Sequence, residues 1–177
     1  MNKRTIFLVI FLIVLGVVSR VVPHPANVTP LAAIALFGGV YLSKRLAIVA
    51  ALLAMVMSDA VLGWHSTIGY VYASMAATLL MGFWLKNHPG VFSTLGATLL
   101  SSILFFIVTN FGVWVSTSLY EKSVEGLVQC YVMALPFFRN SLFGDVFYTA
   151  VLLGGYEVVK RGIRGLRRNR GMRWVLP

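Results

Sequence analysis

The stretch LAIVAALLAMVMSDAVL, residues 46–62, decides the class of this protein. At 1.5 Å per helical residue it covers most of a hydrocarbon core about 30 Å thick. Its side chains are apolar except for Ser58 and Asp59. Lys44 and Arg45 stand before it, and Gly63, Trp64 and His65 follow it. A carboxylate inside such a run is costly, so Asp59 is either paired with a basic group or in contact with a ligand.

Similar apolar runs recur at 5–22, 29–42, 67–85, 92–120 and 140–159. The chain of 177 residues is 59% hydrophobic and 11% charged, with a mean hydropathy of +0.86. Soluble domains carry roughly a quarter charged residues, so this chain cannot cover a water-facing surface. A membrane β-barrel would need ten-residue segments of alternating polarity, which are absent. The expected fold is all-α: a polytopic membrane bundle of about six spans, in one domain over residues 1–159, followed by a basic tail at 160–177. Val17, Val18 and Ser19 would pass as a signal-peptide cleavage site. The apolar run continues beyond them, so the first segment reads as an uncleaved helix. Pro23 and Pro25 end it, since proline has no amide donor and disfavours helix in the residue before it.

Charge sets the expected topology. Fifteen Lys and Arg face five Asp and Glu, a net charge of +10. The basic residues Lys3 and Arg4, then Lys44 and Arg45, then Lys86, fall at alternate turns. The tail adds Lys160, Arg161, Arg164, Arg167, Arg168, Arg170 and Arg173. By the positive-inside rule both termini are cytoplasmic, in a bacterial inner membrane, and the number of full spans is even. Segment 124–138 falls short of the roughly 20 residues a span needs, and its crossing would put the basic tail outside, so it reads as an outer-face or re-entrant helix. The tail suits anionic lipid headgroups. Nucleic acid is not expected, because only Trp174 among the aromatic residues interleaves the charges.

With that topology the polar residues gather in the outer half. They include Arg20, His24, Asn27, Ser58, Asp59, His65, Tyr70, Tyr72, Asn110, Trp114, Arg139, Asn140 and Asp145. Intramembrane ionisable groups usually face the bundle interior and mark functional sites. Ser102, Phe106, Asn110 and Trp114 recur every four residues and share a helix face, as do Ser141, Asp145 and Tyr148. Arg20 and Arg139 are the candidate partners of Asp59 and Asp145. Bland readings stand beside these. Trp64, Trp114, Tyr120 and Tyr131 suit an aromatic belt, Cys130 an inert packing residue, and Ala35 with Gly39 helix packing within the chain. With one cysteine, neither an internal disulfide nor a multi-cysteine metal site can form.

Familiar catalytic motifs are missing: no P-loop, no HExxH and no GxSxG occurs. The sequence LFGD, residues 142–145, is close to the GxGD element of intramembrane aspartyl proteases, but Leu142 stands where its first glycine would be. A proton-sharing pair of Asp59 and Asp145 would put the carboxyls about 3 Å apart.

The stretches RVVPHPANVTPLAAIALFGG (20–39), SDAVLGWHSTIGYVY (58–72), FFIVTNFGVW (105–114) and GLVQCYVMALPFFRNSLFGD (126–145) resemble a group of small bacterial membrane proteins associated with transport but of no established activity. That group is distantly similar to the substrate-binding S-components of energy-coupling-factor vitamin transporters. The resemblance implies about six helices, cytoplasmic termini and a pocket near the outer face. It also implies a separate transmembrane coupling subunit, contacted through small residues, and cytoplasmic ATPases. Some single-chain relatives of those S-components act on cobalamin, and in one a cysteine ligates cobalt, with which Cys130 can be compared. The resulting expectation is a non-catalytic protein that binds a small solute from outside, without cofactor or metal. Its substrate-binding residues would be Asn27, Asp59, His65, Asn110, Trp114, Arg139 and Asp145. The competing expectations are an aspartyl hydrolase and a structural or assembly protein without a cavity.

Overall fold

The computed structural model describes residues 2–172, and Arg173 and Trp174 lie outside the described residues. The described chain is helical, without strands. Helix α1 is Lys3–Val21, α2 Leu31–Tyr41, α3 Lys44–Leu62, α4 Ile68–Asn87, α5 Val91–Ser116 and α6 Val124–Thr149. A π-helical turn, Ala150–Gly154, joins α6 without a break to α7, Gly155–Met172. Five helical segments are long and apolar enough to cross a membrane.

Local chemistry explains the helix ends. The Asn2 side chain accepts the Arg4 amide and starts α1. The Ser123 side chain accepts the Gly126 amide and starts α6, with Glu125 in the favourable first turn. Gly63, at φ 97°, ends α3 in a conformation that other residues rarely adopt.

Two expectations need correcting. Segment 124–138 is not a separate outer-face helix, and no new span starts at 140. Both belong to one continuous helix, of which Val124–Gly165 alone is 42 residues. That is about 63 Å at 1.5 Å per residue, roughly twice the hydrocarbon thickness. Pro136 is accommodated within it, at the loss of a single amide donor. The second span is also shorter than its apolar run. Helix α2 has 11 residues, about 17 Å, and the segment before it, 22–30, is irregular. Non-helical backbone at membrane depth is tolerated where protein buries it or where it lines a cavity.

The core is built around α2, in which every residue from Ala33 to Gly39 is buried. Leu12, Ile34, Leu36, Phe37, Met55 and Leu85 are the large side chains at its centre. Small residues bring α2 against α4. A Cβ on Gly39 would stand 2.5 Å from the Gly82 carbonyl carbon, and one on Gly82 would stand 3.0 Å from the Ala35 oxygen. Ala35 and Gly39 therefore serve packing within the chain. Outward-facing residues are apolar: Phe7, Leu80, Phe92, Val132 and Phe147 are among the large exposed side chains, as a lipid surround requires.

Contacts fix the helix directions. Arg20 at the end of α1 meets Ser58 and Asp59 at the end of α3, so these helices run parallel. Asn140 bonds to Ala26, and Glu157 to Tyr41, so α2 runs parallel to α6. Helix α5 runs against α6, since Ser102 meets Asp145 and Tyr131 meets Ile107. Lys3, Lys44, Lys86 and Lys160 thus belong to one end of the bundle. Arg20, His24, Asp59, His65, Tyr72 and Trp114 belong to the other.

Candidate functional site

At the end remote from the lysines, an ion pair ties α1 to α3. Arg20 Nη1 lies 2.7 Å from Asp59 Oδ1, and donates to Ser58 Oγ at 2.6 Å. Tyr72 Oη, on α4, donates to Asp59 Oδ2 at 2.8 Å. The close approach of Arg20 to Oδ1 is a charge contact rather than an aligned hydrogen bond, and Oδ1 has no other partner. Asp59 is 1% exposed, and Arg20 offsets the cost of burying its carboxylate. The expected pairing of these two residues is present, and it locks three helices.

Beside this pair lies a cavity of about 310 Å³, at the small end of the range for ligand pockets. Arg20, His24 and His65 stand at its mouth, and Asn27 and Thr29 bring the irregular 22–30 segment into its wall. Asn27 sits at φ 63°, which asparagine tolerates better than most residues. His24 Nδ1 donates to the Val22 carbonyl at 2.8 Å, which leaves Nε2 as the free ring atom. Leu31, Met75 and Phe105 supply apolar wall, and Thr78, Ser101, Ser141 and Asp145 the polar interior.

Asp145 is 7% exposed. Ser102 Oγ, on α5, donates to its Oδ2 at 2.6 Å. Arg139 is not its partner, contrary to expectation. That guanidinium lies on the outer side of α6, 5.9 Å from the centre of the Phe143 ring. The reason is helical phase: six residues separate positions 139 and 145, which is not close to a whole number of turns.

Of the expected binding residues, Asn27, His65 and Asp145 line the cavity. Asp59 stands behind its wall and holds Arg20 in place. Asn110, Trp114 and Arg139 do not line it. The side-chain amide of Asn110 donates to the Phe106 carbonyl of its own helix. Trp114 Nε1 donates to the Glu121 carbonyl at 2.8 Å and anchors the 117–123 loop, helped by Lys122, whose Nζ reaches the Trp114 and Thr117 carbonyls. The stripe of Ser102, Phe106, Asn110 and Trp114 is real but faces α6: Phe106 meets Tyr131 and Phe138, and the Asn110 carbonyl accepts from the Cys130 thiol. The cavity face of α5 is one residue earlier, at Ser101 and Phe105. Sequence reasoning missed that face, and with it Thr78 and Met75. The doubled serine at 101–102 was the available signal.

Arg139 and Asn140 do border a second, broader hollow of about 530 Å³, together with Leu135, Pro136 and Phe143. All five are on α6, and one helix cannot enclose a solute. It is a surface groove.

The two carboxylates do not form a proton-sharing dyad. Each has its own partners, and α3 and α6 do not pack against each other. Among the described residues no group of acidic, histidine and cysteine side chains is arranged to hold a metal ion.

The fold and site define an all-α helical bundle whose apolar outer surface suits a membrane and whose polar residues converge on an internal cavity. The chain belongs to a family of unknown function, DUF6580, whose pattern it matches over residues 1–166. No curated protein and no solved structure matches it.

Proposed function

We propose that this protein is a membrane solute-binding protein that takes part in uptake. The carrying observation is the cavity itself: a polar interior among apolar helices, at the end of the bundle away from the clustered basic residues. By the positive-inside rule the basic end is cytoplasmic and the cavity opens outward. A purely structural protein would have its polar groups satisfied by one another with no space between them. The resemblance to energy-coupling-factor S-components supports the same plan. A coupling subunit and cytoplasmic ATPases would then drive release. Ala35 and Gly39 are buried against α4, so such a subunit would dock elsewhere than on these small residues.

Mass spectrometry of the protein purified from rich medium tests this reading. A specific small solute co-purifies, and His65→Ala reduces its amount. Asn110→Ala and Trp114→Phe leave occupancy unchanged, because their hydrogen bonds lie outside the cavity. Trp114→Phe costs about 1 kcal/mol of stability for its single hydrogen bond. Absence of any solute, or full occupancy in His65→Ala, refutes the site.

Topology is checked separately. In intact cells a membrane-impermeant thiol reagent labels His24→Cys, and reaches Arg164→Cys only after permeabilisation. The native Cys130 is buried and gives little background. Labelling of both positions from one side refutes the proposed orientation.

A further inference from the structure

We infer that the interior of the cavity, at Asp145, takes a positively charged group, an ammonium or a metal cation, which narrows the solute-binding reading to a charge class and rests on it. The inference comes from where the hydroxyl protons go. Ser101 Oγ donates to the Thr98 carbonyl at 2.8 Å, and Thr78 Oγ1 to the Ser74 carbonyl at 3.0 Å. Each hydroxyl has one proton, so both present only lone pairs to the cavity they line. The Asp145 carboxylate adds further acceptor sites and receives one hydrogen bond, from Ser102. Of the four polar groups of the interior, Ser101, Thr78 and Asp145 offer acceptors, and Ser141, whose hydroxyl has no acceptor among the described residues, can still donate.

Charge points the same way. The ion pairs among the described residues are Arg20 with Asp59 and Glu157 with Lys160. Asp145 belongs to neither. A buried carboxylate needs compensation, and here the adjoining space is the cavity. The mouth is complementary. The contacts of Arg20 with Asp59, Ser58 and Met55 all use Nη1, so among the described residues Nε and Nη2 have no partner. The cavity therefore offers donors at its mouth and mainly acceptors in its interior.

The positive group has two sources, the ammonium of an organic solute or a free sodium ion bound beside it. Both satisfy a carboxylate with hydroxyl oxygens around it. The full chain in lipid nanodiscs is titrated with sodium chloride, methylammonium chloride or choline chloride at matched ionic strength, and Tm is followed. A saturable rise with sodium, absent with choline and lost in Asp145→Asn, assigns a free inorganic cation. A rise with methylammonium but not sodium, lost in Asp145→Asn, assigns the amine of the solute. A rise with both, lost in Asp145→Asn, supports the cationic site with no preference between them. Ser101→Ala and Thr78→Val each weaken the response about tenfold, the loss of one polar contact. They decide the matter if Asp145→Asn does not fold. Responses indistinguishable from choline, a rise that persists in Asp145→Asn, or unchanged midpoints in both hydroxyl variants overturn the inference. Its failure is separable from that of the solute-binding reading, because co-purification and the His65→Ala comparison do not depend on the cation titration.

Discussion

Asp59→Ala lowers the stability of this protein by about 3–5 kcal/mol, the cost of breaking a buried ion pair by removing one partner. The cause is what remains. Arg20 would keep its charge, with its Nη1 contacts to Ser58 and Met55 but no carboxylate. Tyr72 would also lose its acceptor. The Ala variant therefore strands groups on α1 and α4 as well as α3. Asp59→Asn has the same shape and can still accept from Tyr72, so its loss is smaller. The informative comparison is the triple variant Arg20→Met, Asp59→Leu and Tyr72→Phe, which leaves none of the three groups stranded. Exchanging a buried ion pair for apolar residues of similar volume is often neutral or stabilising. Recovered stability with lost solute occupancy is the expected combination, since Arg20 also lines the cavity mouth. Unfolding in detergent micelles, followed by circular dichroism, measures the first quantity. An Asp59→Ala protein as stable as the wild type would show that the pair does not hold the helices together.

Gly39→Ala is expected to destabilise by about 1–3 kcal/mol, the usual cost of overpacking, and Gly39→Val to prevent folding. The new Cβ would meet Gly82 backbone atoms at 2.5 and 2.6 Å and the Phe83 nitrogen at 2.8 Å. Backbone cannot rotate away as a side chain can, so α2 must move bodily from α4. Leu31 and Ala32 at the start of α2, and Val71, Met75 and Thr78 on α4, line the cavity. Its shape changes, and under the proposed solute-binding function its occupancy changes with it. Gly96→Ala is the control. That glycine has open space where a Cβ would go, and alanine is the better helix former by about 0.8–1 kcal/mol. Unequal responses of the two glycines in thermal unfolding report the α2–α4 contact. Equal responses would mean that the close approach carries no cost.

The pairing of Asp59 with Arg20 was legible because both lie at the same end of their runs and α1 and α3 are both long and apolar. The partner of Asp145 was not. Arg139 is nearer in sequence, but it points to the outer side of α6, while Ser102 comes from the middle of α5, 43 residues away. A pattern of four-residue spacing marks a face without saying what that face meets. The stripe from Ser102 to Trp114 accordingly faces α6 and not the cavity.

Composition and hydropathy by themselves determined the class: too few charges for a water-facing surface, and apolar runs long enough for a bilayer, leave a helical membrane bundle. Pro23 and Pro25 marked the end of the first helix, and the basic residues at alternate turns predicted which helix ends share a side. Only the tertiary structure decided that residues 124–172 are one helix, that 22–30 is cavity wall, and that Ser101 rather than Asn110 faces the empty space. The physical reason is that span and period are properties of a chain segment, whereas a cavity is bounded by the relative rotation of several helices. That rotation is set by close contacts such as Gly39 with Gly82, which no single segment contains.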